Sequence, residues 1–409
     1  MSDAAARAAA EAVARTQYGR LVAWLARRTR DIAAAEDALA EALRAALETW
    51  PARGVPDAPE AWLLTVARRH IGRRARHSGV QAAAVSALAM LADEAARDAP
   101  DMPDERLGLM FVCAHPEIEP ALRAPLMLQA VLGLDAARIA GAFLVSPAAM
   151  GQRLTRAKAR IRDRGLRFEV PGLEDWAPRL GAVLDAVYAA YGSAWPDMAG
   201  VDRRLTGLAQ EALHLARLLA ALLPEEPEAR GLAALILHCE ARRAARRDAA
   251  GHLVPLTEQD PGAWDAALAA EAETHLAAAA RAGRAGRFQV EAAIQSAHAA
   301  RGVMGGTPWA AIVALYDLLL RVAPSAGALL GRAAAVAEAR GAAEGLALLD
   351  AAAGEAPPAW QPLWAVRAHL LARLGRAAEA REAYDRAIGL TSEPGERAFL
   401  QARRAALPG

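Results

Sequence analysis

The sequence predicts an all-α protein, on three observations. Hydrophobic residues make up 55% of the chain but aromatic residues only 5%, and alanine, the strongest helix former, dominates. Alternating runs of β-branched and aromatic residues, the mark of strands, are scarce. Apolar residues instead recur three and four apart, the spacing of one helix face, in stretches separated by glycine and proline. A chain of 409 residues is long enough for two or three domains.

A first helix is expected over residues 5–30, with Val13, Leu21, Trp24 and Leu25 among its apolar positions. Asp31 is a good N-cap for a second helix through Trp50. That helix begins with acids, Asp31, Glu36, Asp37 and Glu41, which suits the helix dipole; N-terminal stabilisation and solvation are the plain reading of them. Trp50 to Glu60, WPARGVPDAPE, reads as a proline-rich loop. The third helix is AWLLTVARRHIGRRARH. Leu63, Ala67 and Ile71 can face inward, while Trp62, Thr65, Arg69, Arg73 and Arg76 share another face with Arg68 and Arg74 nearby. A tryptophan on a basic stripe is what a single nucleic-acid strand requires, a stacking surface with cations for the backbone. A partly buried tryptophan beside a solvated arginine face fits the same pattern.

Residues 79–103 end in acidic, proline-containing sequence and read as a linker between a domain at 1–78 and another at 104–170. The second domain contains DERLGLMFVCAH and PEIEPALRAPLMLQAVLG, then the stretch GLDAARIAGAFLVSPAAMGQRLTRAKARIRDRG. Its Asp135–Phe143 part is a short helix burying Ile139, Ala140 and Phe143. Ser146 is an N-cap, and Pro147 sits at the first helical position, where a missing N–H is tolerated. The helix that follows, ending near Gly165, spaces Met150, Leu154, Ala157 and Ile161 on one face. Ala149, Gln152, Arg153, Arg156 and Arg160 lie opposite, with Lys158 and Arg162 on the flanks. This is the pattern of a helix-turn-helix, small and polar residues first and cations after. Gln152 and Arg153 suit bidentate contacts to bases, and the later cations suit phosphates. A solvated outer helix of a bundle is the other reading of that stretch. Cys113 and His115 lack further ligands at metal-binding spacing, so a buried thiol near a helix end is expected.

After Val170-Pro171-Gly172 the helices are long and carry no basic face, and residues 172–409 form an extension with a core of its own. Near its end Trp364, Ala368, Gly375, Ala380, Tyr384 and Ala387 occupy positions where a tetratricopeptide repeat (TPR) places an aromatic or small residue. Gly341 precedes Gly375 by 34 residues, the period of that repeat. Such helix pairs stack into a superhelix with a protein-binding surface.

Composition narrows the function. Net charge is only +1, so unaided binding through phosphate neutralisation is not advertised. Two cysteines, Cys113 and Cys239, cannot form a disulfide scaffold. The N-terminus lacks the apolar stretch of a signal peptide, and no apolar run reaches the ~20 residues that span a bilayer. A cytoplasmic protein without membrane association is expected. No Walker loop, GxSxG elbow or HExxH motif is present, so neither an enzyme nor a cofactor is expected.

The order of these parts resembles the extracytoplasmic-function sigma factors of bacterial RNA polymerase. AAAEDALAEALRAALETWP is similar to their region-two helix that docks on the polymerase clamp, AWLLTVARRHIGRRAR to the promoter-melting helix, and the helix-turn-helix to region four. With RLLAALLPEEPEARGLAALILHCEARRAAR and the final repeat, the chain resembles the subgroup bearing a long TPR-like C-terminal extension. Two places depart from it: HIGRRARHSG replaces an arginine-rich run, and YAAYGSAW lacks the Asn and Glu usual there. The resemblance implies core RNA polymerase and promoter DNA as partners, and a regulatory protein for the extension. It assigns polymerase binding to Asp31, Glu36, Asp37 and Glu41. It assigns DNA binding to Trp62, Arg68, Arg69, Arg73, Arg74 and Arg76 in region two, and to Ala149, Gln152, Arg153, Arg156, Lys158 and Arg160 in region four. A one-component helix-turn-helix regulator with a TPR-like sensor and a TPR adaptor are the alternatives.

Overall fold

The computed structural model describes residues 3–29, 31–77, 104–143, 145–163, 175–194, 203–248, 251–352, 359–391 and 393–408. The proposed linker at 79–103 lies outside them. Among the described residues there are helices and no strand, with one isolated bridge between Arg247 and Leu253. The chain divides into two compact units, Met1–Trp195 with Arg203–Ala212, and Pro196–Asp202 with Leu213–Gly409.

The first unit opens with α1 (Asp3–Thr29), α2 (Ile32–Arg53) and α3 (Pro59–His77). Asp31 caps α2 by accepting from the Ala34 N–H at 3.1 Å. The helix continues three residues past Trp50, through Pro51, further than the proline-rich composition implied. A proline so close to the end removes little of the helical ladder, and Gly54, at φ 87°, stops it by donating its N–H to the Trp50 carbonyl. Leu25, Leu39, Trp50, Leu63 and Ala67 fill the three-helix core. Each large apolar side chain buried there contributes about 1.5–3 kcal/mol.

Then come α4 (Glu105–Cys113), α5 (Pro120–Ala130), α6 (Ala136–Ala142), α7 (Pro147–Asp163) and α8 (Ala177–Ala194). Asp135 caps α6 through the Arg138 N–H at 2.9 Å, and Ser146 caps α7 through the Ala149 N–H at 3.3 Å. Helix α8 packs against α4, α5 and α6. Beside it Trp176 stacks on Phe111, with ring centroids 4.2 Å apart. Helix α8, inside the extension read from residue 172, groups with the first unit; it buries Leu180, Val183, Leu184 and Val187 and packs against α5.

The three-helix part and the α4–α8 part share one unit. Helix α1 packs on α4 and α5 as well as on α2 and α3. Contact there is close enough to require glycine: a Cβ on Gly19 would fall 1.7 Å from the Val131 carbonyl oxygen.

Helix α9 (Arg203–Leu222) contributes its first half to the first unit and its second half to the second. The second unit continues with α10 (Pro227–Ala241), α11 (Ala266–Arg281), α12 (Arg287–Ala299), the short α13 (Arg301–Met304), α14 (Trp309–Val322), α15 (Ala326–Arg340), α16 (Ala342–Ala352), α17 (Gln361–Arg373), α18 (Ala377–Leu390) and α19 (Pro394–Ala405). Gly341 and Gly375 hold the same place in successive helix pairs, α15–α16 and α17–α18, and both have positive φ. Glycine reaches that left-handed turn without the steric cost other residues bear. Ala368, Ala380, Tyr384 and Ala387 are all buried where these helices meet.

Candidate nucleic-acid and polymerase interface

On α7 the four apolar residues face inward: Met150, Leu154, Ala157 and Ile161 are buried. Gln152, Arg153, Arg156 and Arg160 are exposed on the other side, and Ala149 is half-buried with its N–H taken by the Ser146 cap. The three arginines line a groove of about 360 Å³, whose opposite wall is the 117–122 segment leading into α5. Glu117 and Glu119 stand in that wall. The cation row is therefore tempered by two carboxylates on one side, so the groove is not uniformly positive.

Lys158 departs from the expectation that it serves DNA. It is the only lysine in the chain, and its Nζ lies 2.5 Å from Oε2 of Glu36 on α2. The two side chains are 15% and 17% exposed. A cation held so closely, and mostly covered, is engaged within the protein. The same pair withdraws Glu36 from the acidic surface expected to meet polymerase. Tyr18 and Cys113 lie in its neighbourhood: burial first, and the Glu36 charge second, push both their pKa values well above the ordinary range. A second ion pair joins the two parts, Arg27 on α1 to Glu105 at the start of α4, at 3.1 Å.

The remaining acids of α2 differ from one another. Asp31 is half-buried as the cap, and Asp37 is exposed. Glu41 bonds Arg44, whose Nε donates at 3.1 Å, and this bond lowers its pKa first of all.

On α3, Leu63 and Ala67 are buried and Ile71 is half-buried. Arg68, Arg69 and Arg73 are exposed. Arg74 and Arg76 lie on the last turn of α3, and their side chains fall outside the described residues. Trp62 is half-buried and meets the buried Trp50 edge to face, with centroids 5.5 Å apart at 63°. It is thus anchored by a second aromatic ring while part of it stays open to solvent. Trp24 is one of the apolar positions of α1. It is half-buried, with the Arg28 guanidinium 3.5 Å from its ring centroid and that of Arg68 at 5.9 Å. The spacing of Trp24 and Arg28, four apart on a helix, was the signal available. An aromatic–arginine cluster of this kind extends the α3 face onto α1.

Cys113 is buried and His115 accepts the Glu117 N–H at Nδ1, 3.2 Å away. Among the described residues no group of three potential ligands is placed to hold a metal. Nor is any helix among them long and apolar enough to cross a membrane.

Residues 14–79, from within α1 to just past α3, match Sigma-70 region 2. Residues 179–280 match a family of unknown function, DUF6596. Over 384 residues the chain is 38% identical to an uncharacterized protein of Rhizobium meliloti (strain 1021), covering 92% of this chain and 90% of that one. The chain belongs to that protein's family and carries a sigma-70 region 2. No solved structure matches it. The region 2 domain gives the chain a sigma-factor-like role in transcription initiation, with core RNA polymerase and promoter DNA as the partners that such a domain implies. The region 2 match includes α2 with its acids and α3 with Trp62 and its arginines. The DUF6596 match begins inside α8, which packs with α4–α6, and ends in α11.

Proposed function

We propose that this protein is an extracytoplasmic-function sigma factor, with α4–α7 acting as its region four and the α10–α19 helices as a TPR-like regulatory extension. The observation that carries the reading is the division of α7. One face is buried on Met150, Leu154, Ala157 and Ile161, and Gln152, Arg153, Arg156 and Arg160 are left to solvent behind a short capped helix. Coming after a sigma-70 region 2, that face is suited to a duplex promoter element, with Gln152 and Arg153 at base edges and Arg156 and Arg160 at phosphates.

In this mechanism α2 docks on core polymerase through Asp31, Asp37 and Glu41. The α3 face then supports the unpaired strand, with Trp62 stacking on a base or bracing the neighbouring backbone and Arg68, Arg69, Arg73, Arg74 and Arg76 following phosphates. Phosphodiester chemistry belongs to the polymerase. The Lys158–Glu36 and Arg27–Glu105 pairs join the region-two and region-four parts, so both must part before α2 and α7 engage separate surfaces. The 34-residue spacing of Gly341 and Gly375 and the buried small residues of α17–α18 support a TPR-like extension that docks a regulatory protein, in a cytoplasmic setting.

Co-purification with core RNA polymerase, followed by run-off transcription from a candidate promoter, tests the reading. Association with polymerase and promoter-dependent transcripts are expected. Binding to duplex DNA without polymerase association would favour a one-component regulator, and neither activity would leave an adaptor.

A further inference from the structure

The second unit contains a cavity of about 370 Å³, in the size range of small-molecule sites. It is lined by α12, α14, α15, α17, α18, α19 and the 253–258 segment. Four aromatic side chains, Trp309, Tyr316, Tyr384 and Phe399, form much of its wall. His298 of α12 also lines it, is 7% exposed and lies edge to face with Trp309 at 5.4 Å. The His298 Nδ1 has no hydrogen-bond partner. Burial, and after it the charges of Arg242 and Arg301, push the pKa of this imidazole down to about 4. It is neutral near pH 7, so it offers one donor and one acceptor nitrogen.

Buried polar atoms in native proteins are nearly always satisfied, so the unpaired His298 Nδ1 at the wall of this apolar cavity suits a hydrogen-bonding group of a ligand. The charged residues of the cavity are already paired within the protein, which favours an uncharged ligand. Arg403 pairs with Glu258, and Glu338 pairs with Arg373. We infer that this cavity binds a small uncharged molecule with an aromatic ring system, held between the aromatic walls and hydrogen-bonded to His298. Flat rings match such walls by edge and face contacts, and the unpaired His298 nitrogen orients them. The inference stands apart from the promoter reading, since none of these residues belongs to the α2, α3 or α7 faces.

The test uses the full chain and N-phenyl-1-naphthylamine, an uncharged aromatic amine with one N–H whose fluorescence rises in apolar sites. Saturable binding of one probe per chain is expected. Ala334→Phe, which places a ring in the cavity, should weaken binding at least tenfold. His298→Leu, which keeps the bulk and removes both nitrogens, should weaken it about three- to tenfold. Val366→Trp fills the cavity from another helix and replaces Ala334→Phe should that variant fail to fold by circular dichroism. Val303→Ser with Met304→Ser removes the exposed apolar residues of α13 and should leave binding unchanged. Non-saturable fluorescence, wild-type affinity in a folded cavity-filled variant, or loss of binding in the α13 variant would each overturn the assignment.

Discussion

Replacing Lys158 by methionine is the most informative perturbation of the first unit. Methionine keeps the length of the side chain and removes the ammonium, leaving the Glu36 carboxylate without the cation 2.5 Å away. Exposed ion pairs contribute about 0–1 kcal/mol, whereas removing one partner of a buried pair costs about 3–5 kcal/mol. At 15% and 17% exposure this pair stands between those limits, and a loss of about 2 kcal/mol is expected. For a unit of this size that lowers Tm by about 4–8 °C. Glu36→Gln alone should cost a similar amount by orphaning the ammonium. The double variant, with neither charge, should recover most of the loss, because hydrophobic or neutral replacement of both partners is often nearly neutral. Urea unfolding followed by tryptophan fluorescence gives the four stabilities of the cycle. A coupling energy of about 1 kcal/mol or more is expected. Additive single effects, each below about 0.5 kcal/mol, would refute the view that this pair joins the two parts of the unit.

Four further outcomes are expected. Arg153→Ala and Arg156→Ala should leave Tm within a degree or two while lowering promoter affinity. A base contact should cost about 1–3 kcal/mol at one position, whereas a phosphate contact should weaken all sequences alike; footprinting and thermal melts distinguish the two. Trp62→Ala should destabilise the three-helix part by about 2–3 kcal/mol through loss of the Trp50 contact, whereas Trp62→Phe should keep most of the stability. Permanganate footprinting on that phenylalanine variant then separates strand opening from folding, and unchanged opening would remove Trp62 from the melting step. Gly19→Ala should disturb the α1–α5 approach, because the new methyl has no room beside Val131; an unaltered Tm would contradict that contact. The stability of the second unit should fall as pH drops from 6.5 towards 4. His298 has a folded pKa of about 4 against an ordinary 6.5, so the unfolded chain binds the extra proton in that window. The stabilisation, about 3 kcal/mol, is full above pH 6.5 and is lost towards pH 4, and His298→Leu should flatten that part of the profile.

The helices and their buried faces were legible in the sequence because periodicity is a local property. Met150, Leu154, Ala157 and Ile161 declare their face by spacing alone, and all four are buried. Asp31, Asp135 and Ser146 declare their caps in the same way, since each needs only a backbone N–H two or three residues on. The turn glycines Gly341 and Gly375 were equally visible from their 34-residue spacing. Pairings across the chain were not visible. Lys158 lies on the flank of the α7 cation row, and nothing local distinguishes it from Arg160. Its engagement depends on Glu36, 122 residues earlier. Trp62 likewise shares a stripe with arginines, and only the packing of α2 against α3 brings Trp50 beneath it. That α8 packs with α4–α6 was likewise not legible in composition. The sequence determined by itself that the chain is helical, where its caps and turns fall, and which residues carry a sigma-70 region 2. The tertiary structure decided which cations and aromatics remain available to a partner, because availability depends on whatever distant residue the fold brings within a few ångströms.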